Sequence, residues 1–352
     1  MNISELDTPC VIIDQDIVDR NIKATADFFA TTHLKLRPHI KTHKLPAYAK
    51  LQLEHGAVGI TCQKISEAEI FANAGISDIL ISYNILGEFK LNRLAKLTTK
   101  CKLKTVADSR YVVDGLSKCF TKLNATIDIL VECDTGMGRC GVQSPQAAVE
   151  LGKYIASKTG VNFAGIMIYP ASNQWQSVED FCRQTKALCL AQIGHCETIS
   201  IGGTPFMRGA KIVTSATEHR PGTYIYNDRS LISKSQCVIA DCALTVLAQI
   251  VSRPTENRGI IDAGSKSLTS DLLGLENYGL IKQYPQAKII ALSEEHGHID
   301  FSDCETKPSI GEKINIIPNH VCPVTNLYDQ VFIYRDQKTI KTLPIKARGM
   351  VF

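Results

Sequence analysis

Two short stretches of this 352-residue chain hold side chains whose types and spacing suit chemistry. The first, RPHIKTHK (37–44), crowds Arg37, His39, Lys41, His43 and Lys44 into a segment that otherwise reads as a buried strand, where charge is costly. Alternation places Lys41 on the face shared by Arg37 and His39. Partial burial and neighbouring positive charge disfavour the ammonium form and leave an amine suited to Schiff-base chemistry. Solvated surface lysines are the plainer reading of the same residues. The second stretch, PNHVCPVTN (318–326), separates His320 from Cys322 by one residue. On a strand both side chains share a face, and an imidazole with a thiolate is a borderline-soft pair suited to zinc. Two such ligands leave room for water and a substrate hydroxyl. A packed cysteine beside a hydrogen-bonded histidine is the alternative, and the spacing leaves both open. His296 and His298 form a further HxH pair, readable as a metal-side or substrate-carboxylate contact or as plain structure.

The elements that must position these groups recur rhythmically. Runs rich in β-branched residues occur at 34–41, 57–63, 78–84, 102–108, 126–133, 161–170, 197–203 and 217–224, with helical patterns between most of them. Ser66 and Glu69 read as a capping box for a helix closed by Gly75, and Ser144 opens another closed by Gly160. Strands alternating with helices imply parallel βα units, and eight of them predict a closed (β/α)8 barrel over 21–235. Chemistry in such a barrel sits at the C-terminal strand ends: Lys41, Gln63, Asn84, Asp108, the 134–141 loop, Tyr169, the 202–204 turn and 220–224. SIGGTPF (200–206) and RPGTY (220–224) each set a glycine beside a hydroxyl residue after the seventh and eighth strands, where barrels bind phosphate through backbone N–H groups. With a Schiff-base lysine they point to pyridoxal 5'-phosphate.

From residue 236 onward short alternating strands are joined by Pro, Gly and Asn turns without convincing helices. We read 236–352 as a β-rich domain joined by the strand-like CVIID within residues 1–20. Apolar content of 44%, charge content of 21% and a net charge of +4 without long single-sign runs argue against nucleic acid or a membrane as partner. Thirteen cysteines, an odd number lacking a CxxC pair, predict a reducing cytoplasm. MNISELDTPCVIID has no signal-peptide pattern.

The motifs RPHIKTHK, DTGMGRCGV (134–142), SIGGTP, EHRPGTYIYND (218–228) and PNHVCPVTNL, in this order, resemble the fold-type III pyridoxal-phosphate enzymes, which join an alanine-racemase-like barrel to a β-domain. Within that group they are most similar to the D-serine dehydratase and D-threonine aldolase branch. The resemblance implies that Lys41 carries the cofactor, and that Gly202, Gly203 and Thr204, with Gly222, Thr223 and Tyr224, hold its phosphate. It places Arg139 and Tyr169 near the ring or its phenolic oxygen and makes Arg220 a structural or ring-side group. Gly203 stands where a small hydroxyl residue is common in the family, so one phosphate contact is missing. The aldolase branch usually carries HxD at the second motif and the dehydratase branch HxC, so the resemblance implies zinc on His320 and Cys322. It further implies a homodimer that converts a small D-3-hydroxy amino acid to a 2-oxo acid and ammonia by β-elimination. Retro-aldol cleavage to glycine and an aldehyde is the alternative, followed by racemisation or a noncatalytic cofactor carrier.

Overall fold

The computed structural model describes residues 2–171 and 173–352. The chain divides into two compact units: Met1–Ala24, Thr42–Leu45 and Thr223–Gly349 form one, and Thr25–Lys41, Pro46–Gly222 and Met350–Phe352 the other.

The second unit is the barrel. After β1 (Cys10–Asp14), which belongs to the first unit, come β2 (Lys35–Leu36), β3 (Ile60–Cys62), β4 (Asp78–Asn84), β5 (Lys102–Ala107), β6 (Ile127–Cys133), β7 (Val161–Ile168), β8 (Thr198–Gly202) and β9 (Glu218–Arg220). All seven pairs of neighbours along β2-β9-β8-β7-β6-β5-β4-β3 are parallel. The ring closes between β2 and β3 through the Val58 N–H to Leu36 O (2.9 Å) and the Thr61 N–H to Pro38 O (2.7 Å). The consecutive strands β4 to β7 supply Leu80, Val106, Leu130, Ala164 and Met167, which pack together in one buried cluster, as a filled barrel requires. Helices such as Arg110–Lys122 and Pro145–Ala156 cover the outside with their apolar faces.

Two local expectations are corrected. The helix Ile65–Asn73 starts after Lys64, so Ser66 lies inside it, and its hydroxyl donates to Phe352 O instead of capping. Glu69 pairs with Arg93. Ser144 does cap its helix, accepting from the Ala147 N–H.

The first unit is built on antiparallel sheet. Its strands are β10 (Leu244–Ser252), β11 (Arg258–Ile261), β12 (Leu280–Ile281), β13 (Lys288–Leu292), β14 (Gly297–Asp300), β15 (Lys313–Ile317), β16 (Gln330–Arg335) and β17 (Lys338–Pro344). β1 lies between β10, antiparallel to it, and β16, parallel to it. Its alternating Cys10 and Ile12 join Leu6, Leu247 and Tyr334 in one apolar cluster. The unit is not free of helix, as the sequence reading had it: Ser265–Leu268 and Val321–Leu327 are short helices. None of the thirteen cysteines forms a disulfide. No helix among the described residues is long and apolar enough to cross a membrane.

Candidate active site

In the barrel unit the expected strand 34–41 is shorter than its sequence suggests. Arg37 and His39 still donate to His219 O and Pro221 O, but Pro38 and Pro221 have no N–H to extend the ladder. Lys41 therefore lies beyond the strand, in the 3-10 turn Ile40–Thr42. Its N–H points at His39 Nδ1 (3.4 Å), while His39 Nε2 lies 3.1 Å from Gln63 Oε1. That pairing assigns the proton to Nε2 of a neutral ring. Burial, then Lys41, with Arg220 and Arg139 adding to them, hold the His39 pKa well below the ordinary value. Arg37 is not a neighbour of Lys41. It turns toward the N-terminal strand ends, where Nε meets Glu218 (2.8 Å) and Nη1 meets Asp78 (2.6 Å).

The SIGGTP turn follows β8. Gly203 adopts φ 109°, a conformation natural to glycine, and a Cβ there would lie 3.6 Å from the Tyr169 ring. A Cβ on Gly202 would press on Arg220 at 2.9 Å. The Thr204 hydroxyl accepts from the Gly222 N–H at 3.0 Å, whereas the Thr204 N–H meets no acceptor among the described residues. Arg220 is fully buried and donates to Ser200 Oγ (2.5 Å) and Ile168 O (2.9 Å), both neutral. Burial lowers its pKa to about 10. The Arg139 guanidinium lies 5.1 Å from the Tyr169 ring centre. Buried positive charge, an unbonded N–H and a glycine turn fit the phosphate and ring of pyridoxal phosphate.

One cluster at this end was not foreseen. Asp108, Glu132 and Cys140 bring three ligand-type atoms within 4.8 Å of one another. Burial, opposed by Arg139, raises the Glu132 pKa. The alternation of IDILVEC, with Leu130 inward, was the signal that could have placed Glu132 there.

The first unit holds the other candidate group. His320 and Cys322 are not on a strand: β15 ends at Ile317, His320 precedes the helix Val321–Leu327, and Cys322 lies in its first turn. Pro323 is tolerated there because the first helical N–H groups need no partner within the helix. The two side chains nevertheless meet, since the Cys322 sulfur hydrogen-bonds the His320 ring. His320 Nδ1 lies 2.9 Å from Oδ2 of Asp228, a wholly buried carboxylate that also accepts from the Val321 and Leu231 N–H groups and the Ser230 hydroxyl. Burial alone would lower the His320 pKa, but Cys322 and Asp228 outweigh it and raise it to about 10. Thr42, next in sequence to Lys41, brings its hydroxyl 3.1 Å from Cys322 Sγ. A thiol and an imidazole held from behind by a carboxylate form a donor set that fits zinc. In the same unit Thr223 and Tyr224 occupy the 3-10 turn Thr223–Ile225. His296 is exposed beside β14, and His298 lies 3.3 Å from Ser293 Oγ; neither joins a ligand cluster of three among the described residues.

Residues 13–230 match the alanine racemase N-terminal domain family and residues 243–334 the putative serine dehydratase domain. The chain is 33% identical to a D-threonine aldolase of Arthrobacter sp. over 99% of its own length and 94% of the relative's. It is 30% identical, with the same coverage, to a 3-hydroxy-D-aspartate aldolase of Paracoccus denitrificans. A D-threo-3-hydroxyaspartate dehydratase of Delftia sp. matches at 26% over 90% of this chain and 91% of that one. The crystal structure of the Filomicrobium marinum D-threonine aldolase superposes with a TM-score of 0.92 at 33% identity, covering 99% of this chain and 98% of that one. The chain therefore belongs to the lyase family of D-threonine aldolases and D-serine dehydratases, which is built on an alanine-racemase N-terminal domain.

Proposed function

We propose that this protein is a pyridoxal-phosphate- and zinc-dependent lyase that converts a D-3-hydroxy amino acid to a 2-oxo acid and ammonia. The observation that carries the elimination reading is the His320 and Cys322 pair backed by buried Asp228. Bound at these sites, pyridoxal phosphate would supply an electron sink for the pair left at the substrate α carbon, and zinc a Lewis acid for a departing hydroxyl.

The chain's own residues divide the remaining work. Lys41 Nζ would hold the cofactor and, once released, move the α proton. Neutral His39 accepts the Lys41 N–H and fixes that turn without adding charge. Gly202, Gly203 and Thr204, with Gly222, Thr223 and Tyr224, would bind the phosphate, and Tyr169, Arg139 and Arg220 would orient the ring. Asp228 directs the His320 ring so that Nε2 is the nitrogen left for a metal.

Retro-aldol cleavage is the second reading, favoured by 33% identity to an aldolase across 99% of the chain. Product analysis separates the two. Supplied with zinc and D-serine, D-threonine or D-3-hydroxyaspartate, the enzyme should release ammonia and a 2-oxo acid. Glycine and an aldehyde would establish the second reading, and no product from any of the three would reject both. We also propose a homodimer; sedimentation of a fully active monomer would contradict it.

A further inference from the structure

The end of the barrel opposite Lys41 holds a cavity, about 400 Å³ in volume, among the N-terminal ends of the strands. On its floor Arg37 is bonded to two carboxylates, Glu218 and Asp78, so the guanidinium is matched and one negative charge is left over. With three lysines and Glu197 on the wall, the lining as a whole keeps a net positive charge, and the lysines form no ion pair among the described residues. Lys35 and Lys102 have no ion-pair or hydrogen-bond partner for their ammonium groups among the described residues, and Lys104 Nζ bonds only the Thr198 hydroxyl, at 3.2 Å. Lys104 is half-buried and shares the inward face of β5 with Val106, a position where an ammonium without a counter-charge is unfavourable. Glu197, exposed, is the one carboxylate of the wall that Arg37 does not engage. At this face of a barrel, side chains ordinarily serve stability, yet these lysines form no stabilising pair.

We propose that this cavity binds a compact phosphoryl anion, such as a phosphate monoester or pyrophosphate. Lysine ammonium groups are strongly hydrated point charges with three rotatable donors, and they bind phosphoryl oxygens without a fixed fork geometry. Here the one arginine is already occupied. The Thr198 hydroxyl accepts from Lys104 and so keeps its own proton to donate. Charge on the ligand would offset the lysines, and the volume accommodates a small ester.

The test is calorimetric titration of the holoenzyme, freed of excess cofactor, with pyrophosphate in phosphate-free buffer at low salt. One saturable site per chain is expected, weakening with added salt, while absorbance of the bound cofactor stays unchanged. Lys104→Ala and Lys102→Ala should each weaken it about tenfold, as loss of one charge-assisted contact would, with lyase activity in the absence of pyrophosphate preserved. Lys104→Arg should retain binding and show that the site, not the fold, was altered. Should Lys104→Ala fail to fold, the exposed Lys102→Ala and Lys35→Ala decide. Malonate binding as tightly as pyrophosphate would overturn the phosphoryl assignment. Absence of saturable binding, affinity indifferent to the lysine changes, or loss of cofactor absorbance on titration would overturn the site.

Discussion

Two arginines of the barrel, Arg37 and Arg220, are buried to nearly the same degree, yet their surroundings drive them in opposite directions. Burial works against the charge of both. At Arg37 two carboxylates within 2.8 Å outweigh it and the pKa rises. At Arg220 the direct partners are a hydroxyl and a carbonyl, and the pKa falls to about 10. A buried cation bonded to carboxylates is complete in itself. One bonded to neutral acceptors keeps its field for something else, and Arg220 keeps it among Gly202, Tyr169 and the Thr204 N–H. The comparison separates a charge satisfied within the fold from one left without a carboxylate partner in a single barrel.

The largest way to break this comparison is at its centre. Lys41→Ala should abolish covalent attachment of the cofactor and cut turnover by about 10⁴ or more, the upper range for a positioned acid–base group. Lys35→Ala and Lys44→Ala should keep the cofactor spectrum, although loss of the buried Lys44 Nζ bond to Ala347 O should lower stability. Cofactor retained on Lys44 instead of Lys41 would sink the assignment.

Exchanging the arginines for methionine sharpens it next. Arg37→Met strands two carboxylates and should cost about 3–5 kcal/mol of unfolding free energy with cofactor affinity untouched. Arg220→Met leaves only a hydroxyl and a carbonyl unpaired and should cost about 1–3 kcal/mol, while cofactor affinity drops. Equal stability losses in denaturant titrations would remove the distinction.

His219, between Glu218 and Arg220 on β9, adds a pH signature. Burial, opposed by its bond to Gly203 O, lowers its pKa from 6.5 to about 4. Between those values the unfolded chain binds more protons, so stability should fall as pH drops, by about 3 kcal/mol in all. His219→Gln, able to keep the bond to Gly203, should flatten the pH dependence of the melting temperature in that window.

The smallest effect concerns the metal pair. Asp228→Asn should leave the fold intact and weaken zinc binding about 10–100-fold, read by competition with a chromophoric chelator. Unchanged affinity would make the Asp228 contact to His320 purely structural.

Much of this was legible because the barrel repeats its signals. Eight β-branched runs separated by amphipathic stretches suffice for the order of parallel strands, and the glycine-hydroxyl turns after β8 and β9 stand at their ends. What misled was local competition. The prolines at 38 and 221 shorten β2 and move Lys41 into a turn, so alternation did not describe its neighbours. A helix starting at Val321 replaced the expected strand, yet its first turn still brings His320 and Cys322 together. Ser66 found an acceptor in Phe352, 286 residues away. Asp228 lies 92 residues from His320 in the chain, and no periodicity announces a single carboxylate at that separation.

The central proposal is a division of labour: Lys41 and the cofactor would activate the α carbon, and His320 with Cys322 would hold the metal that releases the β-hydroxyl. The most direct measurement follows two rates on the same zinc-stripped enzyme with D-serine, exchange of the α-hydrogen with solvent deuterium and formation of ammonia. Exchange should continue at a reduced rate while ammonia formation falls by orders of magnitude, since Lewis-acid stabilisation supplies several kcal/mol. Zinc should restore ammonia formation to the stripped protein but not to His320→Ala or Cys322→Ala. Full turnover of D-serine by metal-free Cys322→Ala protein would contradict the account and return His320 and Cys322 to a packed pair beside Asp228.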